Sequence, residues 1–215
     1  MGIALRQHGW DVTAIDYAST RTSLRAHART VAGRIRVAVP DEAVSFVTHS
    51  MGGIVLRLML HEREGDADLR ARTQRAVMLA PPNGGSQVVD RVQAVMPMRW
   101  LNGPAGDELG TQGLPARLGP VSRPVGVIAG TRSTNPITSS WLPGQDDGKV
   151  SVEATKVGGM ADHIALPVTH TFMMNSPLVM AQALHFLDAS IEPPRFDPAL
   201  ALLEASLAYL RKQST

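Results

Sequence analysis

Five short apolar runs, each closed off by turn residues, decide what this chain can fold into: residues 12–17 (VTAIDY), 43–48 (AVSFVT), 76–80 (AVMLA), 125–129 (VGVIA) and 164–168 (IALPV). They are too short for core helices and read as strands. Several are apolar at consecutive positions, so both of their faces need cover. Helix-period sequence lies between them. Strand–helix alternation with right-handed crossovers lays helices on both faces of a parallel sheet. The expected fold class is therefore α/β, a mostly parallel sheet with helices on both sides. Reactive side chains in such sheets collect beyond the carboxyl ends of the strands.

Residues 2–8 read as the end of a helix, with Gly9 as its C-cap. Thr20 or Thr22 caps a helix whose inner face is Leu24, Ala28, Val31, Ala32 and Ile35, stopped by Pro40. Ile54, Val55, Leu58 and Met59 supply the next apolar face, and the polar run 61–73 (HEREGDADLRART) is expected as a solvated connection. Ser86 caps a helix reaching Val95. Residues 96–124 are rich in proline and glycine without a period, and are read either as a lid or as a long connecting loop. Residues 176–187 form a closing helix with Leu178, Val179, Ala183 and Leu184 inward. The domain is expected over 1–190, and the tail 191–215 carries a helix at LALLEASLAYL.

With 215 residues, one domain is the default. No run of about eighteen apolar residues is present to span a membrane. A formal charge of +2, with arginines scattered among apolar positions, offers no face for nucleic acid. The absence of cysteine excludes a disulfide framework and a thiolate nucleophile. The opening residues show no export signal, so a cytoplasmic location is the default and the true one stays open. No ligand pair has metal-site spacing, so neither metal nor cofactor is expected.

The stretch Thr48-His49-Ser50-Met51-Gly52-Gly53 places a serine between a strand and a helix. A serine hydroxyl attacks only if a base takes its proton and donors await the negative charge on the carbonyl oxygen. A strand–turn–helix elbow lifts the serine out of the sheet and aims the next amide, that of Met51, at the oxyanion. Small residues are needed because the turn brings strand and helix together. His49 is expected to pack or bond locally.

HSMGG after an apolar strand, together with MLAPPNGGSQVVD, DDGKVSVEAT and LPVTHTFMM, resembles the α/β-hydrolase family, specifically bacterial lipase- and esterase-like members. The resemblance runs from about Arg6 to Leu187, with Thr48 in place of the usual first glycine. It implies an α/β-hydrolase fold and a Ser-His-Asp triad in the chain order nucleophile, acid, base. Ser50 is then the nucleophile and His170 the base. The family's acid precedes a glycine, then a residue, then valine, which selects Asp147 and leaves Asp146 as the alternative acid. Met51 gives the oxyanion amide. His163 is a competing base or part of a polar turn, and His61 and His185 lie in helices near the surface. Met51, Met173 and Met174 could line an acyl pocket.

Measured against that family, the sequence lacks the early strand between the runs at 12–17 and 43–48, and the His-Gly loop that gives a second oxyanion donor. His8-Gly9 imitates the dipeptide but reads as a helix end. An internal start, a shortened fold, or a partner chain supplying the edge each accounts for this. Loss of one such donor lowers turnover by about 10²–10³, so weak activity is expected. The functional expectation is hydrolysis of small or lipid-like carboxylic esters through an acyl-enzyme, with self-association left open. Alternatives are a non-catalytic remnant of the fold, or an amidase or acyltransferase using the same residues.

Overall fold

Four of the five apolar runs become strands, because a strand exists only where a neighbour completes its ladder. The computed structural model describes residues 1–17, 21–95 and 103–200. Within them β1 (Val44–His49), β2 (Thr73–Leu79), β3 (Val125–Gly130) and β4 (Asp162–Leu166) pair in parallel in the order β1-β2-β3-β4. Spatial and chain order coincide, so each connection crosses to the adjacent strand and all four carboxyl ends lie along one rim.

The run 12–17 is the exception to the sequence expectation. No backbone bond joins it to β1 among the described residues. The carbonyls of Val12 and Asp16 accept instead from the side chains of Arg6 and Arg34. Its apolar residues are still used: Ile15 and Tyr17 pack on one core, and Val12, with the preceding Trp10, on the other. Side chains hold this segment in place without a ladder. In consequence β1 is the outermost described strand on its side, half-exposed throughout, and the buried hydroxyls of Ser45 and Thr48 have no partner among the described residues.

The helices are α1 (Gly2–Gln7), α2 (Leu24–Ala38), α3 (Met51–Met59), α4 (Ala67–Arg72), α5 (Gln87–Val95), α6 (Gly103–Asp107), α7 (Leu114–Arg117), α8 (Pro136–Ser139) and α9 (Pro177–Leu187). Gly9 ends α1 at φ 84°, as a C-cap should. The cap of α2 is Ser23, whose Oγ accepts from the Ala26 amide at 3.3 Å. Thr22 instead meets the ring of His27, and Thr20 lies outside the described residues. Within the polar run 61–73, α4 and the start of β2 replace the expected loop. Asp66 caps α4 through the Leu69 amide at 3.0 Å, and Leu69 is wholly buried, so one cap and one anchor suffice.

The two faces of the sheet carry separate cores. Ala76 and Met78 of β2 join Leu24, Ile35, Ile54 and Leu58 from α2 and α3. Val77 and Leu79, pointing the opposite way, join Leu5, Val179 and Phe186 from α1 and α9. Each such buried side chain contributes about 1.5–3 kcal/mol. The buried Arg75 sits at the carboxyl end of α9 and donates to the carbonyls of Phe186 (3.0 Å) and Asp188 (2.8 Å), where a cation is favoured. In the long excursion Leu109, Leu114 and Leu118 are buried against α2 and α3, so its described part is packed down. Residues 96–102 and the tail helix expected from Ala201 onward lie outside the described residues.

The glycines after Ser50 are not equivalent. A Cβ on Gly53 would stand 2.7 Å from Pro81 Cβ, whereas one on Gly52 would meet Thr48 Cβ at an ordinary 3.5 Å. Gly53→Ala is therefore expected to cost about 1–3 kcal/mol in urea unfolding, with Gly52→Ala costing clearly less. Equal midpoints for the two variants would refute this account of the packing.

Candidate active site

The ladder of the sheet runs on into the loops at its carboxyl rim. The Ser50 amide donates to Leu79 O at 2.8 Å, Ala80 N to Ile128 O at 2.8 Å, and Arg132 N to Val168 O at 3.1 Å. Ser50 makes one of these bonds, His170 follows Val168 by two residues, and Asp147 lies in the loop after β3.

Ser50 lies between β1 and α3 at φ 54°, ψ −127°, a conformation that a side-chain-bearing residue adopts only at a cost of about 1–3 kcal/mol. That strain is offset by the bonds on either side, the amide to Leu79 and the Gly53 N–H back to Ser50 O at 2.9 Å. The amides of Met51 and Gly52 have no backbone acceptor among the described residues. Both are unpaired donors at a helix N-terminus, where negative charge is favoured.

Asp147 follows β3 and is 2% exposed. Its Oδ1 accepts from the amides of Lys149 (3.0 Å) and Val150 (2.8 Å), and its Oδ2 faces His170 Nδ1 at 2.7 Å. Gly130 makes room for it: a Cβ there would be 2.7 Å from Asp147 Cβ and 2.5 Å from Val168 O. Asp146 is engaged elsewhere. Its Oδ1 takes the Ser139 hydroxyl and the Gly148 amide, each at 2.7 Å, so it shapes the turn and does not reach the imidazole.

His170, also buried, is fixed at several points. Its amide donates to Asp147 O at 3.0 Å, and its Nδ1 to the Asp147 carboxylate. A carboxylate can only accept, so the proton is on Nδ1, and Nε2 is left to accept from Ser50 Oγ at 3.0 Å. The arrangement can draw a proton from the Ser50 hydroxyl toward an imidazole whose positive form is stabilised from behind.

A bond made by His49 at this rim is not legible in the sequence. His49 Nε2 donates to His170 O at 3.0 Å, and the two rings lie 4.8 Å apart at 47°. Adjacency to Ser50 was visible, but the acceptor is 121 residues away. Burial, and then the neighbouring charge of His170, push the His49 pKa down to about 4. The other candidates fall elsewhere. His163 is the second residue of β4, at the end of the sheet away from Ser50, with Nε2 2.9 Å from Thr155 Oγ1. His61 accepts amides from Arg63 and Glu64, and His185 lies in the last turn of α9. Met173, expected at an acyl pocket, is fully buried in the core beneath α9, whereas Phe172 and Met174 beside it are exposed. Clefts of about 730 and 610 Å³ open away from Ser50, one against α2 and α4, the other around Arg57 and Arg117. Among the described residues no three His, Asp or Glu gather as a metal site, and no helix is long and apolar enough to cross a membrane.

No family model and no curated protein matches the sequence. Solved structures do match in shape. The Bacillus licheniformis lipase BlEst2 in mature form is similar at TM-score 0.64 and 18% identity, over 82% of each chain. The metagenomic carboxyl esterase MGS0156 is similar at TM-score 0.60 and 19% identity, over 99% of this chain and 69% of that one. The phospholipase PlaB from Legionella pneumophila in complex with thio-NAD follows at 0.57 and 15%, over 87% of this chain and 54% of that one. At these identities the likeness establishes the fold, which is α/β-hydrolase-like.

His49 links the site to stability. In the unfolded chain it takes up a proton near pH 6.5, in the folded protein only near pH 4, so between these values the unfolded state binds more protons and stability falls as pH is lowered. Half-buried His163 adds an effect of the same sign. Calorimetric melting should drop from pH 6.5 to 4 in the wild type and less steeply in His49→Gln. Parallel slopes for the two proteins would contradict the depressed pKa.

Proposed function

We propose that this chain is a serine hydrolase of carboxylic esters working through an acyl-enzyme. The observation that carries the reading is the unbroken relay from Asp147 Oδ2 through His170 to Ser50 Oγ, at 2.7 and 3.0 Å, ending on a serine held in a strained elbow. Ser50 Oγ attacks the ester carbonyl while His170 Nε2 takes its proton. The Met51 amide holds the oxyanion, and the proton passes to the departing alcohol. Asp147 keeps the imidazole in the productive tautomer and stabilises its charged form. The similarity to a lipase, a carboxyl esterase and a phospholipase supports an ester as substrate. Exposed Phe172 and Met174, two and four residues past His170, support an apolar acyl group. With a single assigned oxyanion donor, turnover is expected to be about 10²–10³ below that of a site with two.

The decisive measurement is labelling by a fluorophosphonate probe together with hydrolysis of a short-chain p-nitrophenyl ester. Labelling should map to Ser50 and vanish with turnover in Ser50→Ala; a folded wild-type protein that neither labels nor turns over would overturn the reading. Assays with amides and added alcohols then place amidase or acyltransferase action beside hydrolysis.

The two neighbouring aspartates should separate cleanly. Asp147→Asn is expected to lower kcat by roughly 10⁴-fold, as loss of the orienting carboxylate does in serine proteases. Asp146→Asn should cost far less, because Asp146 bonds the turn and not the imidazole. Equal losses would reverse the assignment of the acid.

A further inference from the structure

The reaction proposed above has two halves, and only the first has a Ser50 hydroxyl to hold on to. In acylation the Oγ–C bond forms, the C–O bond to the alcohol breaks, and the hydroxyl proton travels through His170 Nε2 to the alcohol. In deacylation a water oxygen bonds to the acyl carbon, the C–Oγ bond breaks, and the water's proton travels through the same nitrogen back to Oγ. During the second half Ser50 carries no proton, so the 3.0 Å bond that joins it to Nε2 is gone. The base must nevertheless stay within reach of the incoming water, because a misplacement of about 1 Å can cost 10²-fold.

Resting on that reading, we infer that His49 is a positioning residue for deacylation: its Nε2–H, bonded to the carbonyl of His170, holds the base's loop against the strand that bears the nucleophile after Ser50 has been acylated. The elbow meets the base at two adjacent residues. One link, Ser50 to His170 Nε2, is consumed by the chemistry. The other, His49 Nε2 to His170 O at 3.0 Å, involves no reacting atom and survives both halves. A carbonyl only accepts, so this bond fixes the His49 proton on Nε2. The two tilted rings, 4.8 Å apart, leave His49 little alternative orientation. The remaining ties of residue 170, its amide and its Nδ1, both lead to Asp147 and so to the turn after β3. His49 alone, among these ties, refers the base back to β1 once the serine is modified.

The test resolves the two steps by rapid mixing with a p-nitrophenyl ester. His49→Phe keeps the ring and removes the donor. Its acylation burst should stay within about threefold of wild type while the deacylation rate falls roughly 10-fold to 100-fold, so that acyl-enzyme accumulates and kcat and KM drop together. His49→Gln, which restores an N–H donor, should recover most of the deacylation rate. Equal slowing of both steps in His49→Phe, or an unchanged deacylation rate, would overturn the inference while leaving the Ser50 assignment intact. If His49→Phe does not fold, nitrogen NMR of the wild type decides: His49 should carry its proton on Nε2 before and after reaction with the phosphonate probe, and a proton on Nδ1 in the labelled protein would refute the tether. A wild type that never acylates removes this inference together with the function it rests on.

Discussion

Parallel pairing is the constraint from which the rest of the molecule follows. Because β1 to β4 all run the same way, every strand must end on the same rim, and the ladder can be prolonged there by the first residues of each loop. The bonds from Ser50 to Leu79, Ala80 to Ile128 and Arg132 to Val168 are such prolongations. They convert the regular spacing of the sheet into fixed spacing between loops that are far apart in sequence. The buried carboxylate of Asp147 reaches Ser50 through two ordered bonds by way of His170, itself 120 residues beyond the elbow, because its loop starts from a strand two places along. The absence of a Cβ at Gly130 permits that loop to close over the end of β3.

The legible parts of this arrangement were those governed by local chemistry. Continuous apolar runs at 76–80 and 125–129 announced buried central strands, and both are there. Gly9 and Ser86 are recognisable from their positions as helix punctuation, and they turn and bond accordingly. The elbow could be recognised because its glycines and serine are contiguous. What could not be read was anything decided by a neighbour distant in sequence. The run 12–17 has strand composition but no ladder to join among the described residues, and the Asp66 cap with buried Leu69 turns a polar stretch into α4 because the core has a place for that leucine. Met173 and Met174 are adjacent and chemically identical, yet one is core and the other surface. The spacing that selects Asp147 is in the sequence, but the bonds that occupy Asp146, to Ser139 and Gly148, are not.

His49 illustrates the same division within one residue. Its place beside the serine is a fact of sequence, whereas its bond to the carbonyl of His170 and its depressed pKa are products of assembly. Desolvation keeps the ring neutral, and neutrality matters because a second positive charge beside His170 would oppose the imidazolium on which the proposed relay depends. Burial, tautomer and geometry thus favour one arrangement of the two rings.

The backbone at Ser50 carries a wider lesson. A glycine there would relax the positive φ that serine endures, so the residue proposed to react is also one where the fold gains by giving its side chain up. Under the proposed function, a search for hardier variants that selects on heat resistance alone drifts toward silent proteins, and directed evolution of this scaffold has to screen for turnover in every round.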